Sequence, residues 1–255
     1  MTAGAVALQA VPLLAQRAVR RDIGVWEWLL DGSSWRGQAG ILTSLADTLV
    51  LSAGVVLVAT VVGVPLAAAL AHRRKGEVLA TWALTLSRAL PTFAVAGLLV
   101  PISLRQGWGF EPWPMFVALL LLALPPIFLN TYTGVVGVDR DTVGAARAMG
   151  FTERAVLFRV ELSLGSPLVL AGVRIAAVQV VATEPLRAFL GGDGLGRYVR
   201  DGLGQNNPSL VVAGALLVAT LAVLTGLAFG AIERVLPQGV RRFQRSSRRP
   251  GRDRP

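Results

Sequence analysis

The sequence predicts an all-α integral membrane protein, and three observations carry that prediction. Charged residues make up 16% of the 255-residue chain, where soluble domains carry about 25%. Hydrophobic residues reach 53%, and mean hydropathy is +0.59. The apolar residues gather in five long runs, and most of the basic residues flank those runs in loops and at the C-terminus, as in membrane proteins.

Ala3 to Leu14 is apolar but falls short of the roughly 20 residues a membrane helix needs. Arg17, Arg20 and Arg21 follow this run, whereas a cleavable signal places its charges first. Residues 1–40 therefore read as an interfacial segment, with Trp26, Trp28 and Trp35 suited to headgroup depth. The five spans are expected at about 45–71, 78–104, 115–136, 164–182 and 210–232. Each reaches across a hydrocarbon core of about 30 Å at roughly 1.5 Å per residue. Barrel strands would be shorter and would alternate apolar with polar residues, so the spans are helices. Pro91 and Pro101 fall in or near the second span, and Pro125 and Pro126 in the third. The backbone carbonyls they free need partners on neighbouring helices, which predicts a packed, kinked bundle. Residues 41–235 form the membrane unit, and 236–255 form a basic, disordered tail lying against anionic headgroups.

Charge bias sets the orientation. The 72–77 loop, the 137–163 segment and the tail after Ile232 hold fifteen basic residues, against eight on the opposite side. The first group is expected in the cytoplasm, with the N-terminus outside and the C-terminus inside.

Several functions are excluded. There is no Cys, hence no thiol catalysis and no Cys-based metal site. No HExxH, GxSxG or paired carboxylates occur, so no catalytic residue, metal ligand or cofactor site is assigned. No basic stripe interleaved with aromatics marks a nucleic-acid binder. The single histidine, His72, stands beside Arg73, Arg74 and Lys75 and reads as a solvated loop residue.

The polar interruption from Asp141 to Leu162 is the richest segment. Asp141 is suited to cap a helix starting at Thr142. Val143, Ala146 and Met149 then fall near one face. Gly150 suits the left-handed residue that closes a helix. Thr152 is suited to cap a second helix, with Glu153 near its positive end. Read physically, the segment either docks a partner protein or is an ordinary loop.

The motifs resemble those of membrane subunits of binding-protein-dependent ABC importers, a MetI-like permease family. The family's cytoplasmic signature is Glu-Ala-Ala, three residues, Gly, nine residues, then Ile-x-Leu-Pro. Here Gly144-Ala145-Ala146 precedes Gly150 by three residues, and nine more lead to Val160-Glu161-Leu162-Ser163. Asn130-Thr131-Tyr132-Thr133-Gly134, Val138-Asp139, PLVLAGVRIAAVQV and GLGRYVRDGL look like the osmoprotectant permeases, and Ala89-Leu90-Pro91 is similar to a stretch of their second span. The likeness covers about 41–235. It implies a five-helix MetI-like core in a bacterial cytoplasmic membrane. It also implies a coupling loop in which Gly144, Ala145, Ala146, Met149, Gly150, Val160 and Leu162 dock on an ABC ATPase. The implied cargo is a quaternary ammonium solute such as glycine betaine, choline or carnitine, delivered by an extracytoplasmic binding protein.

The chain departs from the pattern at Gly144, where Glu is usual, and at Ser163, where Pro is usual. This suggests one half of a heterodimeric permease, with a homodimer as the alternative. Glu184-Pro185-Leu186-Arg187 and Gly192-Asp193 replace small, uncharged residues. They tune binding-protein docking, line the path or form a local salt pair.

Asp47, Arg88, Arg174 and Glu184 are ionisable residues in or beside spans, where such groups face protein or water. Arg174 lines the pathway with Gln179 and Thr183, or it pairs with an acidic residue on another helix. Their spacing does not place all three on one tight stripe. The chain has two Tyr, and its six Trp lie mainly in flanks and loops, so no cation–π cage is expected. Selectivity would rest with the binding protein. No GxxxxGK[ST] loop occurs, so ATP would be hydrolysed by another chain. The competing reading, an ion-coupled secondary transporter, lacks visible repeats and midspan carboxylates.

Overall fold

A computed structural model describes residues 24–37, 40–78, 91–109 and 112–235. These residues are helical, with no strand among them. The helices are α1 (Val25–Leu30), α2 (Gly32–Trp35), α3 (Ile41–His72), α4 (Thr92–Arg105), α5 (Trp113–Val136), α6 (Arg140–Ala148), α7 (Glu153–Ala155), α8 (Leu162–Thr183), α9 (Gly196–Gly204) and α10 (Pro208–Val235). A π-helical turn, Val156–Glu161, joins α7 to α8, and a 3-10 segment, Glu184–Leu190, follows α8.

Among the described residues, four helical stretches are long and apolar enough to cross a membrane: Ile41–His72, Trp113–Val136, Glu153–Leu190 and Pro208–Arg234. They match the first, third, fourth and fifth expected spans. The second is shorter as described. α4 has 14 residues, about 21 Å of helix, and Pro91 sits at its N-cap rather than inside it. Proline's fixed φ and missing N–H suit that position. Residues 79–90, with Arg88 and Ala89-Leu90, lie outside the described residues, as do 1–23 and the tail from 236.

α5 is the central helix. Met115, Ala118, Leu119, Ala123 and Ile127 bury against Val55 and Ala59 of α3, Ala96 of α4, and Ala176 and Val180 of α8. Small residues let the backbones approach, which is how membrane helices gain packing energy where lipid is as apolar as protein. A Cβ on Gly165 would lie 2.9 Å from the Gly134 carbonyl, and one on Gly172 would lie 2.8 Å from the Pro126 oxygen. α5 and α8 therefore meet backbone to backbone.

The two ends of the bundle differ. At one end the start of α3 meets the α9 region. Thr48 Oγ1 accepts the Leu195 N–H at 3.0 Å, and the Ser44 and Tyr198 hydroxyls lie 3.3 Å apart. Trp28 of α1 stands edge-on to the Tyr198 ring with centroids 5.1 Å apart. Trp28 and Trp35 pack into this cluster, while Trp26 is 71% exposed. At the other end, the last turn of α3 meets the 140–161 module. These contacts put the basic 73–75 corner and the 140–161 module together.

Candidate functional site

The module at the basic end is built from caps outward. Asp139, not Asp141, caps α6. Its Oδ1 accepts the Asp141 N–H at 3.1 Å, and the helix starts at Arg140. Both aspartates have the right chemistry, but Asp139 takes the non-helical backbone that an N-cap requires, with φ −57° and ψ 133°. Gly150 has φ +84° and reverses the chain after α6, a conformation that disfavours side chains. Thr152 Oγ1 accepts the Ala155 N–H at 3.3 Å and caps α7.

α6 has two faces. Val143 and Ala146 are buried with Val138 and Val156, against Val160 and Leu164. Met149 does not join them. It is the C-cap residue and is 73% exposed, since the helix ends before its side chain comes round to the buried face. Gly144, Ala145, Met149 and Gly150 are all exposed, and a Cβ on Gly144 would meet nothing within 4 Å. Phe151 and Phe158 of the same module are 39% and 65% exposed. The seven expected docking residues therefore divide. Ala146, Val160 and Leu162 root the module on the bundle, the last against Ala68, Ala71 and Val135. Gly144, Ala145, Met149 and Gly150 are presented outward. The result is a low, small-residue ridge with large apolar side chains beside it.

An ionic network underlies this ridge. Arg147 donates to Glu153 through Nε at 2.9 Å and through a terminal nitrogen at 3.0 Å. These hydrogen bonds raise the Arg147 guanidinium above its ordinary value. His72 is not a solvated loop residue. Its side chain is 14% exposed and lies between Glu161, 2.6 Å from Nδ1, and Glu153, 3.0 Å from Nε2. Its partners lie about 80 to 90 residues away in sequence, so the neighbouring basic run gave no sign of this placement. The one available signal was Glu161, an acidic residue between the apolar motif positions Val160 and Leu162.

The expected pathway residues occupy different faces of α8. Arg174 pairs with Glu233 of α10 at 3.1 Å. Gln179 is exposed and Thr183 half-buried, about 40° apart around the helix. Glu184 and Arg187 do form a local salt pair, Oε1 to Nε at 2.9 Å, with the Glu184 side chain fully buried. Asp47 is exposed. No group of three metal-ligating side chains occurs among the described residues.

Comparison with known proteins places this architecture. The chain is similar to the choline transport system permease protein OpuBB of Bacillus subtilis (strain 168), with 29% identity over 208 residues that span 81% of this chain and 94% of OpuBB. It is 30% identical to the glycine betaine/carnitine/choline transport system permease protein OpuCB of the same organism, over 78% of this chain and 90% of OpuCB. It is also 30% identical to the osmoprotectant import permease protein OsmW of Salmonella typhimurium, over 80% of this chain and 95% of OsmW. Its fold resembles a chain of the MetNI methionine ABC transporter in an inward-facing conformation. There the TM-score is 0.65 at 20% identity, covering 77% of this chain and 96% of that one. The family profile for the inner membrane component of binding-protein-dependent transport systems matches residues 59–242. The chain belongs to that family of membrane transport components.

Proposed function

We propose that this chain is the membrane-spanning permease subunit of an ATP-driven importer for a compatible solute of the quaternary ammonium class. The observation that carries the reading is the outward face of α6. Gly144, Ala145 and Met149 are exposed on a helix whose opposite face is anchored to the bundle. Such a ridge fits a groove on a separate ATPase subunit, which supplies the hydrolysis.

The solute class rests on the relatives named for choline, glycine betaine, carnitine and osmoprotectant transport. An extracytoplasmic binding protein delivers the solute, and selectivity resides there. Residues 41–235 form the transport unit, and residues 1–40 and the 236–255 tail are appended to it. The basic end faces the cytoplasm, with the N-terminus outside and the C-terminus inside, in a bacterial cytoplasmic membrane. Gln179 and Thr183 offer polar groups to the path, and Arg174 sets that wall against α10. Gly144 and Ser163 leave the docking motif incomplete, so a second permease subunit with the fuller motif completes the pair.

The test is to purify the chain from its native membrane and reconstitute it with whatever remains bound. Stoichiometric retention of an ATPase and a second permease, with ATP-dependent uptake of labelled glycine betaine, choline or carnitine, is expected. Uptake driven by a proton or sodium gradient without ATP would overturn the reading. Robust ATP-coupled uptake by a homodimer would overturn the heterodimer.

A further inference from the structure

The only histidine of the chain joins elements that the sequence keeps far apart. His72 closes α3, and carboxylate oxygens of Glu161 and Glu153 face its two ring nitrogens at 2.6 and 3.0 Å. Glu153 is held in turn by Arg147, in the last turn of α6. On the same corner, Arg74 donates to the Val136 carbonyl at 3.0 Å, tying it to the end of α5. Contacts therefore run without a break from the docking helix, through Arg147, Glu153 and His72, to Glu161 at the root of α8.

The chemistry of this chain is directional. A neutral imidazole has one N–H donor and one lone pair. With a carboxylate oxygen against each nitrogen, a neutral ring turns one of the two contacts repulsive. Both contacts bond when each ring nitrogen carries a proton, or when one carboxyl group does. Apolar contacts of Leu157 and Leu162 with Ala68 and Ala71 hold the same junction, but hydrophobic contact has no preferred direction. Glu161 is buried, with 3% of its side chain exposed, so its bond to His72 is little screened by water. It also lies in the π-helical turn, a rare backbone form that is frequent at functional sites.

We propose that His72 is a positioning residue for transport, passing displacement of α6 to α3 and to the root of α8 through Glu153 and Glu161. This rests on the reading of α6 as the ATPase-docking helix. The charged groups around the ring are Glu153 from α7 and Glu161 from the π turn, with Arg147 of α6 behind Glu153. Arg73, Arg74 and Lys75 follow on its own corner. α5 brings the uncharged Tyr132, Val135 and Val136 to this junction.

Because the chain has no cysteine, one introduced at Gln179, exposed on α8, is the single labelling site on this subunit, which is read after separation from the others. The readout is its labelling rate by a membrane-impermeant maleimide in the purified native complex, with ATP and vanadate against no nucleotide. The wild-type background is expected to show a clear nucleotide-dependent change. His72→Gln should shrink that change about tenfold, as befits loss of a charge-assisted bond. His72→Lys, which restores a cationic donor, should recover most of it. Should His72→Gln fail to accumulate, Glu153→Gln breaks the same link at a more exposed site and should give the same loss. A full nucleotide response in His72→Gln or Glu153→Gln, or no rescue by lysine, would overturn the relay. So would a native His72 background in which nucleotide leaves labelling unchanged. A wild-type complex that holds no ATPase subunit would instead strike the docking reading on which the relay stands.

Discussion

Arg174 of α8 and Glu233 of α10 face each other at 3.1 Å across 59 residues of sequence. The side chains are 40% and 26% exposed. The pair ties the long helix α10 to α8. Arg174→Met should lower the melting temperature in detergent, because Glu233 loses its counter-charge. Arg174→Met combined with Glu233→Gln should recover part of the loss, since unpaired charges cost more than absent ones. Thermal unfolding of the two variants checks this. Uptake at normal expression distinguishes the pathway role: unchanged uptake in Arg174→Met would mean that Arg174 is structural only.

Gly144 should be improvable. It sits inside α6 with open space around its missing Cβ, and glycine there costs about 0.5–1 kcal/mol relative to alanine. Gly144→Ala should raise stability by roughly that amount. On the proposed docking role of α6, Gly144→Glu should also strengthen retention of an ATPase subunit by adding a charge to its exposed face. Chemical denaturation and co-purification yield are the measurements.

The α5–α8 crossing should tolerate nothing larger than glycine. In Gly165→Ala the new methyl group would meet backbone atoms of Gly134 at 2.9 Å, so the helices must part. Overpacking of this kind costs about 1–3 kcal/mol. A lower melting temperature, with secondary structure unchanged by circular dichroism, is the expected result.

Gly150 should resist substitution for a different reason. Its φ of +84° lies in the left-handed region, and no neighbour crowds its Cβ position. Gly150→Ala should therefore cost about 1–2 kcal/mol through backbone strain alone. Gly150→Asn, which tolerates that region better, should cost less.

The long apolar runs disclosed α3, α5, α8 and α10 because a bilayer demands about 20 apolar residues in a row. Gly150 was legible because a helix closing in the left-handed region favours glycine. The cap of α6 was not, because Asp139 and Asp141 are chemically equivalent and only backbone geometry separates them. α9 lies hidden between the fourth and fifth apolar runs. Its glycine-rich sequence is a poor helix former, and it is held by tertiary contacts such as those of Tyr198 with Ser44 and Trp28. His72 was misread for the same reason. Its neighbours in sequence are solvated bases, while the groups that hold it arrive only when α3 packs against the π turn.

Site-specific cross-linking reads whether the exposed face of α6 docks an ATPase. Single cysteines are placed at Ala145 and Met149 on the exposed face, at buried Val143, and at Leu203, which is 57% exposed at the opposite end. With a short bifunctional thiol-to-amine reagent in native membranes, positions 145 and 149 should form adducts with an ATPase subunit, while 143 and 203 should not. Absence of ATPase adducts at 145 and 149, or equal yield at 203, would mean that α6 does not dock an ATPase.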